Sequence, residues 1–177
     1  MKDKYESPLC SRYASEKMQY IFSPDWKFST WRRLWCALAE QERALGVPIT
    51  AEQVAELRAH IDDIDYARAE GYERETRHDV MAHILAYGDA CPAARGILHL
   101  GASSCYVDDN ADVMCMREGL LQLRRELVTV IAVLSDFAQQ QADTPVLAYT
   151  HFQAAQPTTV GKRACMWLQD LLSDLDT

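Results

Sequence analysis

Apolar residues recur at intervals of three and four along much of the chain, a spacing that places side chains on one face of an α-helix. The first such run occupies residues 28–45 and is rich in aromatic residues. Gly46 and Pro48 follow it, and both residue types are typical of helix ends. The pattern therefore predicts an amphipathic helix that ends just before Gly46.

Three shorter helices are predicted next. Thr50 and Gln53 have the spacing of a capping box, in which each side chain binds a backbone N–H group at the start of a helix. Asp65 is placed to cap a third helix that runs toward Thr76, and a fourth begins near Asp79. No segment in this part of the sequence is predicted to be a strand.

The most regular pattern lies between residues 113 and 137, where apolar residues alternate steps of three and four as in a heptad repeat. The residues of this seam are Val113, Met116, Leu120, Leu123, Leu127, Val130, Leu134 and Phe137. Asp109 is predicted to cap the helix, with Asp112 in its first turn. At 1.5 Å per residue it would span roughly 40 Å. The short helices before it cannot cover such a seam, so other long helices are required.

The last part of the chain is predicted to contain a loop over residues 146–156 and then another helix. This helix follows Pro157, carries an apolar face and reaches Thr177 with no glycine, proline or cap. A natural domain rarely ends on an uncapped apolar helix, so we expect the chain to be truncated.

These patterns predict an all-α fold with two parts. Short helices precede Val107, and long helices of the kind found in bundles follow it. We therefore predict an N-terminal helical domain over residues 1–107 and the start of a central helical bundle domain over residues 108–177.

Composition narrows the classes of function. The formal net charge of −8 argues against a nucleic-acid-binding surface. No apolar run is long enough for a membrane span, and the N-terminus lacks the apolar core of a signal peptide. The six cysteines form no Cys-x-x-Cys pair, and a disulfide framework would suit a shorter secreted chain better. We expect reduced, mostly buried thiols in a cytoplasmic protein.

Five histidines are the first candidates for chemistry: His60, His78, His83, His99 and His151. None belongs to a close ligand pattern such as His-Glu-x-x-His, so no metal site is predicted. His60 is expected to be solvated beside Arg58. His83 is expected to be a structural residue of its helix.

His151 differs because it lies in the predicted polar loop between two long helices, where catalytic groups often sit on a rigid scaffold. The segment Gly101–Cys105 precedes the seam-bearing helix. Its serines could cap that helix, or the backbone N–H groups there could bind an anion. The residues alone leave both interpretations open.

Two further groups are ambiguous when taken alone. Arg77, His78 and Asp79 could bind a substrate anion and orient an imidazole, or they could simply begin a helix. Arg12 and Tyr13 near the N-terminus have the character of a solvated tail.

Taken together, these segments resemble the adenylosuccinate lyase family of the fumarase/aspartase superfamily, over essentially the whole chain. The segments that carry the resemblance are Ser7–Ser15, Arg77–His83, His99–Val107 and Thr150–Arg163. The Thr-His-x-Gln-x-Ala-x-Pro element marks the superfamily. The Arg-His-Asp-Val element and the N-terminal Ser-Arg-Tyr mark the family.

The resemblance implies a homotetrameric all-helical enzyme whose active sites are each assembled from three subunits around a central bundle. It implies removal of fumarate from adenylosuccinate to give AMP, and the same elimination from the succinyl-aminoimidazole carboxamide ribotide. The substrate is a small nucleotide, and no metal or organic cofactor is implied.

The resemblance also implies roles for individual residues. His151 is the expected general acid, and His78 is the second expected catalytic residue, placed near the purine or its succinyl group. The expected substrate-binding residues are Arg12, Tyr13, Arg77, His78, Asp79, His99, Ser103, Ser104 and Thr150, with Lys162 a weaker candidate. Among them, Ser103 and Ser104 would hold a succinyl carboxylate, and Arg12 and Tyr13 would contact the phosphate end.

The family's catalytic base is a serine in a mobile-loop motif that this sequence lacks, so the chain alone is expected to be inactive. Two alternatives remain open. The chain could be a non-catalytic helical association module, or it could belong to another superfamily lyase such as argininosuccinate lyase. The Arg77–Asp79 element argues against the second alternative.

Overall fold

The computed structural model describes residues 5–176, and α-helices account for most of them. The contacts divide the chain into two compact units, unit 1 (Met1–Glu118) and unit 2 (Gly119–Thr177). This division falls within the longest helix. The predicted boundary of sequence domains at residues 107–108 stays a prediction.

Unit 1 begins with a single π-helical turn at Leu9–Tyr13 and is otherwise built from α-helices. Its complete helices are α1 (Glu16–Ile21), α2 (Pro24–Ala44), α3 (Ala51–Ala59), α4 (Tyr66–Thr76) and α5 (Asp79–Ala90), followed by a 3₁₀ turn at Arg95–Ile97. The predicted order and type of α2 to α5 are confirmed, and α1 is not among the predicted helices.

Local sequence explains where these helices begin and end. The Thr50 hydroxyl accepts the Gln53 backbone N–H, and the Gln53 side chain accepts the Thr50 N–H, which confirms the capping box of α3. Asp65 caps α4 through the Arg68 N–H. Gly46 follows α2 with φ +94°, a conformation that costs glycine little.

Aromatic side chains of α2 form the centre of unit 1. Trp31 and Trp35 are fully buried and pack edge to face, with ring centroids 6.1 Å apart. Tyr87 of α5 is equally buried and packs against Trp35. Burying three large rings at one place makes α2 and α5 the rigid frame of this unit.

Helix α6 spans Ser104–Gln140. The prediction that Asp109 caps it is wrong: the helix begins at Ser104, because the small hydroxyl residues before it already supply a favourable helix start. The seam is exposed at Val113, Leu120 and Val130, and Leu127 and Leu134 are only half buried. The expectation that the short helices do not cover this seam is confirmed.

The loop predicted over residues 146–156 is wrong. Strands β1 (Pro145–Thr150) and β2 (Gln153–Thr159) form an antiparallel hairpin with a register shift between Leu147 and Tyr149. The β-branched and aromatic residues of β1 favour a strand. The turn His151-Phe152 lacks the glycine or asparagine that usually signals a hairpin, which is why the sequence does not reveal it.

Helix α7 (Val160–Asp176) follows the hairpin and completes unit 2. Ala164 and Leu168 of α7 pack against Ala138 of α6. Gly161 allows this approach, because a Cβ atom there would lie 2.8 Å from the Cα of Ala142. The helical core of both units agrees with the predicted all-α class, and the hairpin is an addition to it.

All six cysteines are free. Cys36 and Cys91 are buried, and Cys115 is half buried. The expectation of mostly buried thiols is wrong for the remaining three, which are exposed: Cys10, Cys105 and Cys165. Among residues 5–176, no helix combines the length and the apolarity that crossing a membrane requires.

Candidate active site

The candidate residues of unit 1 come from the π-helical turn, the α4–α5 junction and the segment before α6. At the junction, Arg77 ends α4 in the left-handed conformation with φ +56°, and its N–H binds the Glu73 carbonyl at 2.8 Å. A residue other than glycine is strained there by about 1 kcal/mol or more. Strain of this kind is concentrated at functional sites.

His78 caps α5 with its side chain. Its Nδ1 accepts the Met81 backbone N–H at 3.4 Å and lies 3.6 Å from Oδ1 of Asp79. A neutral Nδ1 can accept the backbone N–H, whereas a protonated one can only donate to Asp79. The two contacts therefore require different occupancies of Nδ1 by a proton, and each tautomer of the neutral ring is compatible with one of them.

His99 lies in the segment between the 3₁₀ turn and α6, in the left-handed conformation with φ +60°. Its Nδ1 accepts the indole N–H of Trp35 at 2.9 Å. Burial lowers the pKa of His99, and the charge of His78 lowers it further. His78 and His99 are thus near enough to interact electrostatically, which joins the α4–α5 junction to the segment before α6.

Ser103 directly precedes α6 and Ser104 is its first residue. Gly101 turns the chain there with φ +64°. The exposed N–H groups and the dipole of a long helix favour an anion at this end. A Cβ on Gly101 would lie 4.0 Å from Oε1 of Glu42, so a carboxylate stands beside the turn and opposes that preference.

Arg12 and Tyr13 lie in the π-helical turn, and both are exposed. No hydrogen bond in the described part of the chain joins them to His78 or His99. His78 thus lies beside Asp79 and acts on His99 through its charge, and Arg12 and Tyr13 belong to the same unit without such an interaction among the described residues.

In unit 2, His151 and Phe152 form the two-residue turn at the tip of the hairpin. Their φ angles are +48° and +60°, as a type I′ turn requires. Thr150 pairs with Gln153 and closes the turn. Phe152 is fully exposed at 106%, so burial does not offset the strain of its backbone. The turn therefore presents the side chain of His151 to solvent on a backbone of positive φ.

The weaker candidate Lys162 lies in the first turn of α7, where its backbone N–H binds the Thr159 hydroxyl at 3.1 Å. The structure gives no added reason to assign its side chain a role. Within residues 5–176, no cluster of three or more His, Cys, Asp or Glu side chains could hold a metal ion.

The remaining histidines have structural contacts. His83 is buried and stacks on Phe28 with ring centroids 3.7 Å apart, as expected for a structural residue. His60 is not simply solvated. Its Nδ1 lies 2.8 Å from Oδ2 of Asp63, and its backbone carbonyl accepts a hydrogen bond from the Arg32 guanidinium.

Trp35 is not among the predicted site residues, because its position in the apolar run over residues 28–45 marks it only as part of a helix face. A buried indole N–H usually has an acceptor, and this tendency is the signal that the sequence offers. Which of the histidines supplies the acceptor depends on the fold.

Comparison with known proteins gives the family. A protein-family model described as lyase matches residues 30–177. Adenylosuccinate lyase of Saccharomyces cerevisiae is 49% identical over 176 residues, covering 98% of this chain and 36% of that protein. Adenylosuccinate lyase of Schizosaccharomyces pombe is 48% identical over 174 residues, covering 97% of this chain and 36% of that protein. The chain thus spans about 36% of the length of these relatives.

Solved structures agree on the fold. A fumarate lyase from Mesorhizobium sp. BNC1 has a TM-score of 0.81 at 26% identity, covering 92% of this chain and 39% of that one. The 3-carboxy-cis,cis-muconate lactonizing enzyme from Pseudomonas putida has a TM-score of 0.84 at 24% identity, covering 95% of this chain and 40% of that one. Because the lyase model matches most of its residues, this chain belongs to the lyase family.

Proposed function

We propose that this chain is part of an adenylosuccinate lyase, which eliminates fumarate from adenylosuccinate to give AMP. The same enzyme would release fumarate from the succinyl-aminoimidazole carboxamide ribotide. The observation that carries the proposal is the nearly end-to-end similarity to adenylosuccinate lyases of two yeasts. The strained backbone at Arg77, His99 and His151, three of the predicted site residues, supports it.

The elimination breaks the bond between the succinyl carbon and the amine nitrogen. The electrons of that bond go to the nitrogen, which is a poor leaving group unless it is protonated. His151 is the proposed general acid, because an imidazole can hold and deliver a proton near neutral pH. Its exposed place at the hairpin tip leaves the ring free to reach a substrate.

A base removes the proton from the neighbouring succinyl carbon, and the C–H electrons form the double bond of fumarate. Negative charge accumulates on the adjacent carboxylate during this step, so fixed donors there lower the barrier. Ser103 and Ser104, together with the N-terminus of α6, are the proposed donors. Arg77, His78 and Asp79 would position the purine and succinyl groups.

Arg12, Tyr13 and His99 are the proposed contacts of the phosphate end, and Thr150 supports the substrate beside the acid. The resemblance assigns the base to a serine of a mobile-loop motif that this sequence lacks. We therefore infer that residues outside this chain supply the base, which agrees with the 36% of the relatives' length that the chain spans.

We also infer a homotetramer that works in the cytoplasm. The uncovered seam of α6, with Leu120 67% exposed and Val113 60% exposed, supports association with other long helices. Sedimentation of a complete subunit that contains this chain tests the inference. The mass of four subunits would support it, and the mass of a single subunit would contradict it.

The test supplies the missing part of the subunit. In a chimera, this chain replaces the matching segment of the Saccharomyces cerevisiae relative, and ultraviolet absorbance follows adenylosuccinate cleavage. We expect the chimera to turn over and the 177-residue chain alone to be inactive. A folded, tetrameric chimera without activity, or clear turnover by the chain alone, would contradict the proposal.

The role of His151 is tested in the same chimera. Replacement of the general acid, His151→Gln, should lower kcat by about 10²–10⁴. His60→Gln is the matched control, because His60 pairs with Asp63 and has no proposed contact with substrate. Equal rates for the two variants would remove His151 from the mechanism.

A further inference from the structure

The indole of Trp35 makes a hydrogen bond whose direction is fixed by chemistry. Trp35 is 1% exposed, and its Nε1 lies 2.9 Å from Nδ1 of His99. An indole N–H can only donate, so Nδ1 of His99 must accept. Since an accepting ring nitrogen carries no proton, the proton of the neutral imidazole must be on Nε2.

Several features hold His99 in this state. A proton on Nδ1 would point at the indole N–H, so the contact opposes the imidazolium ion as well as the other tautomer. Burial acts in the same direction by lowering the pKa of His99, and the nearby His78 adds to the effect. The indole itself cannot move away easily, because its ring packs against Trp31 and Tyr87.

We propose that Trp35 is a positioning residue that fixes His99 as the neutral Nε2–H tautomer, so that this imidazole presents a hydrogen-bond donor to a substrate anion. The ligand class is an oxyanion such as a phosphate, because an N–H group recognises a lone-pair acceptor. The tautomer follows from the contact alone, whereas the choice of anion rests on the proposed function.

The first test uses the 177-residue chain with ¹⁵N-labelled histidine and tryptophan. Long-range proton–nitrogen correlation spectra at neutral pH distinguish protonated from unprotonated ring nitrogens. We expect Nδ1 of His99 to have the shift of an unprotonated nitrogen, Nε2 that of a protonated one, and a coupling across the hydrogen bond from Trp35. A protonated Nδ1, or averaged shifts for both nitrogens, would overturn the proposal.

Two tryptophan variants separate the hydrogen bond from packing. Trp35→Phe removes the donor, and it should release His99 into a mixture of both tautomers. Trp31→Phe is the matched control, because Trp31 is 0% exposed in the same helix and its Nε1 has no hydrogen-bond partner among the described residues. This control loses the same volume but keeps the indole N–H of Trp35, so His99 should remain the Nε2–H tautomer. Identical spectra for the two variants would refute the role of Trp35.

If Trp35→Phe fails to fold, the spectrum of the unaltered chain still decides the tautomer. In the active chimera, Trp35→Phe should raise KM for adenylosuccinate with a smaller change in kcat, whereas Trp31→Phe should change neither. An unchanged KM in a folded Trp35→Phe variant would overturn the assignment of His99 to substrate. An inactive unaltered chimera would instead count against the proposed function, and the tautomer would still be decided by the spectra.

Discussion

Arg32 provides the sharpest test of what holds unit 1 together. This arginine is 2% exposed, yet it makes no ion pair among the described residues. Its Nη1 instead donates to the carbonyls of His60 and Asp63, at 2.5 and 2.8 Å, and its guanidinium lies 4.3 Å from the centre of the Tyr87 ring. Burial lowers the pKa of Arg32, although the group stays charged at neutral pH. One side chain thus joins α2 to the end of α3 and to α5.

The effect of Arg32→Met follows from these contacts. Two hydrogen bonds from a charged donor contribute about 1.5–3 kcal/mol each, and the ring contact contributes about 1 kcal/mol. Removing the buried charge also removes a desolvation cost of several kcal/mol, and methionine retains part of the packing. The largest remaining contribution to the change in stability then comes from the two carbonyls, which lose their hydrogen-bond donor. We expect a loss of about 3 kcal/mol in the free energy of unfolding.

Urea unfolding followed by fluorescence measures this loss, because Trp31 and Trp35 belong to the core cluster that contains Tyr87, the ring that Arg32 contacts. The midpoint should fall with little change in the denaturant slope. Arg33→Met is the matched control, because Arg33 is exposed and lies 3.8 Å from Asp62; its loss should be within about 0.5 kcal/mol. If Arg32→Met were as stable as the control, the desolvation cost of the buried charge would equal the gain from its hydrogen bonds. Arg32 would then make no net contribution to the stability of unit 1.

Two further predictions concern other parts of the chain. Burial lowers the pKa of His83 to about 4 from an ordinary value near 6.5; because the unfolded chain takes up this proton first, stability should fall by roughly 3 kcal/mol between pH 6.5 and 4. Urea midpoints measured at pH 6.5 and pH 4 should show that the stability of His83→Gln falls less over this range. An equal fall in stability in the variant would contradict the role of His83. In unit 2, Gly161→Ala should cost about 1–3 kcal/mol, since its Cβ meets the Ala142 backbone at 2.8 Å. Hydrogen exchange of α7 amides should quicken in this variant and not in Gly96→Ala, where nothing lies within 4 Å; equal exchange would contradict the close contact.

The sequence predicts those parts of the fold that are determined by neighbouring residues. The capping box at Thr50 and Gln53 and the cap at Asp65 form as predicted, because each links groups three residues apart in sequence. The exposed seam of α6 is also foreseeable from periodicity, since the helix is longer than the elements available to cover it.

Features that depend on tertiary contacts or on unusual backbone conformation are not foreseeable in this way. The hairpin was missed because His151 and Phe152 are not residues that a type I′ turn ordinarily contains. The start of α6 at Ser104 rather than Asp109 reflects a choice between two adequate caps, which local propensity does not decide. The exposure of Cys105 and Cys165 likewise depends on which helix faces find partners.

The candidate site differs from the rest of the fold in how well its residues match their backbone conformation. At Arg77, His99 and His151 a residue with a side chain occupies a conformation that glycine or asparagine would adopt with less strain. Sequences usually agree with their local structure, so repeated disagreement at residues that also carry titratable or charged groups indicates selection for something other than stability. Replacing these residues by glycine would relieve strain while removing chemistry. Of the four described non-glycine residues with positive φ, Phe152 alone is neither charged nor titratable, and the other three carry side chains that the proposed elimination uses.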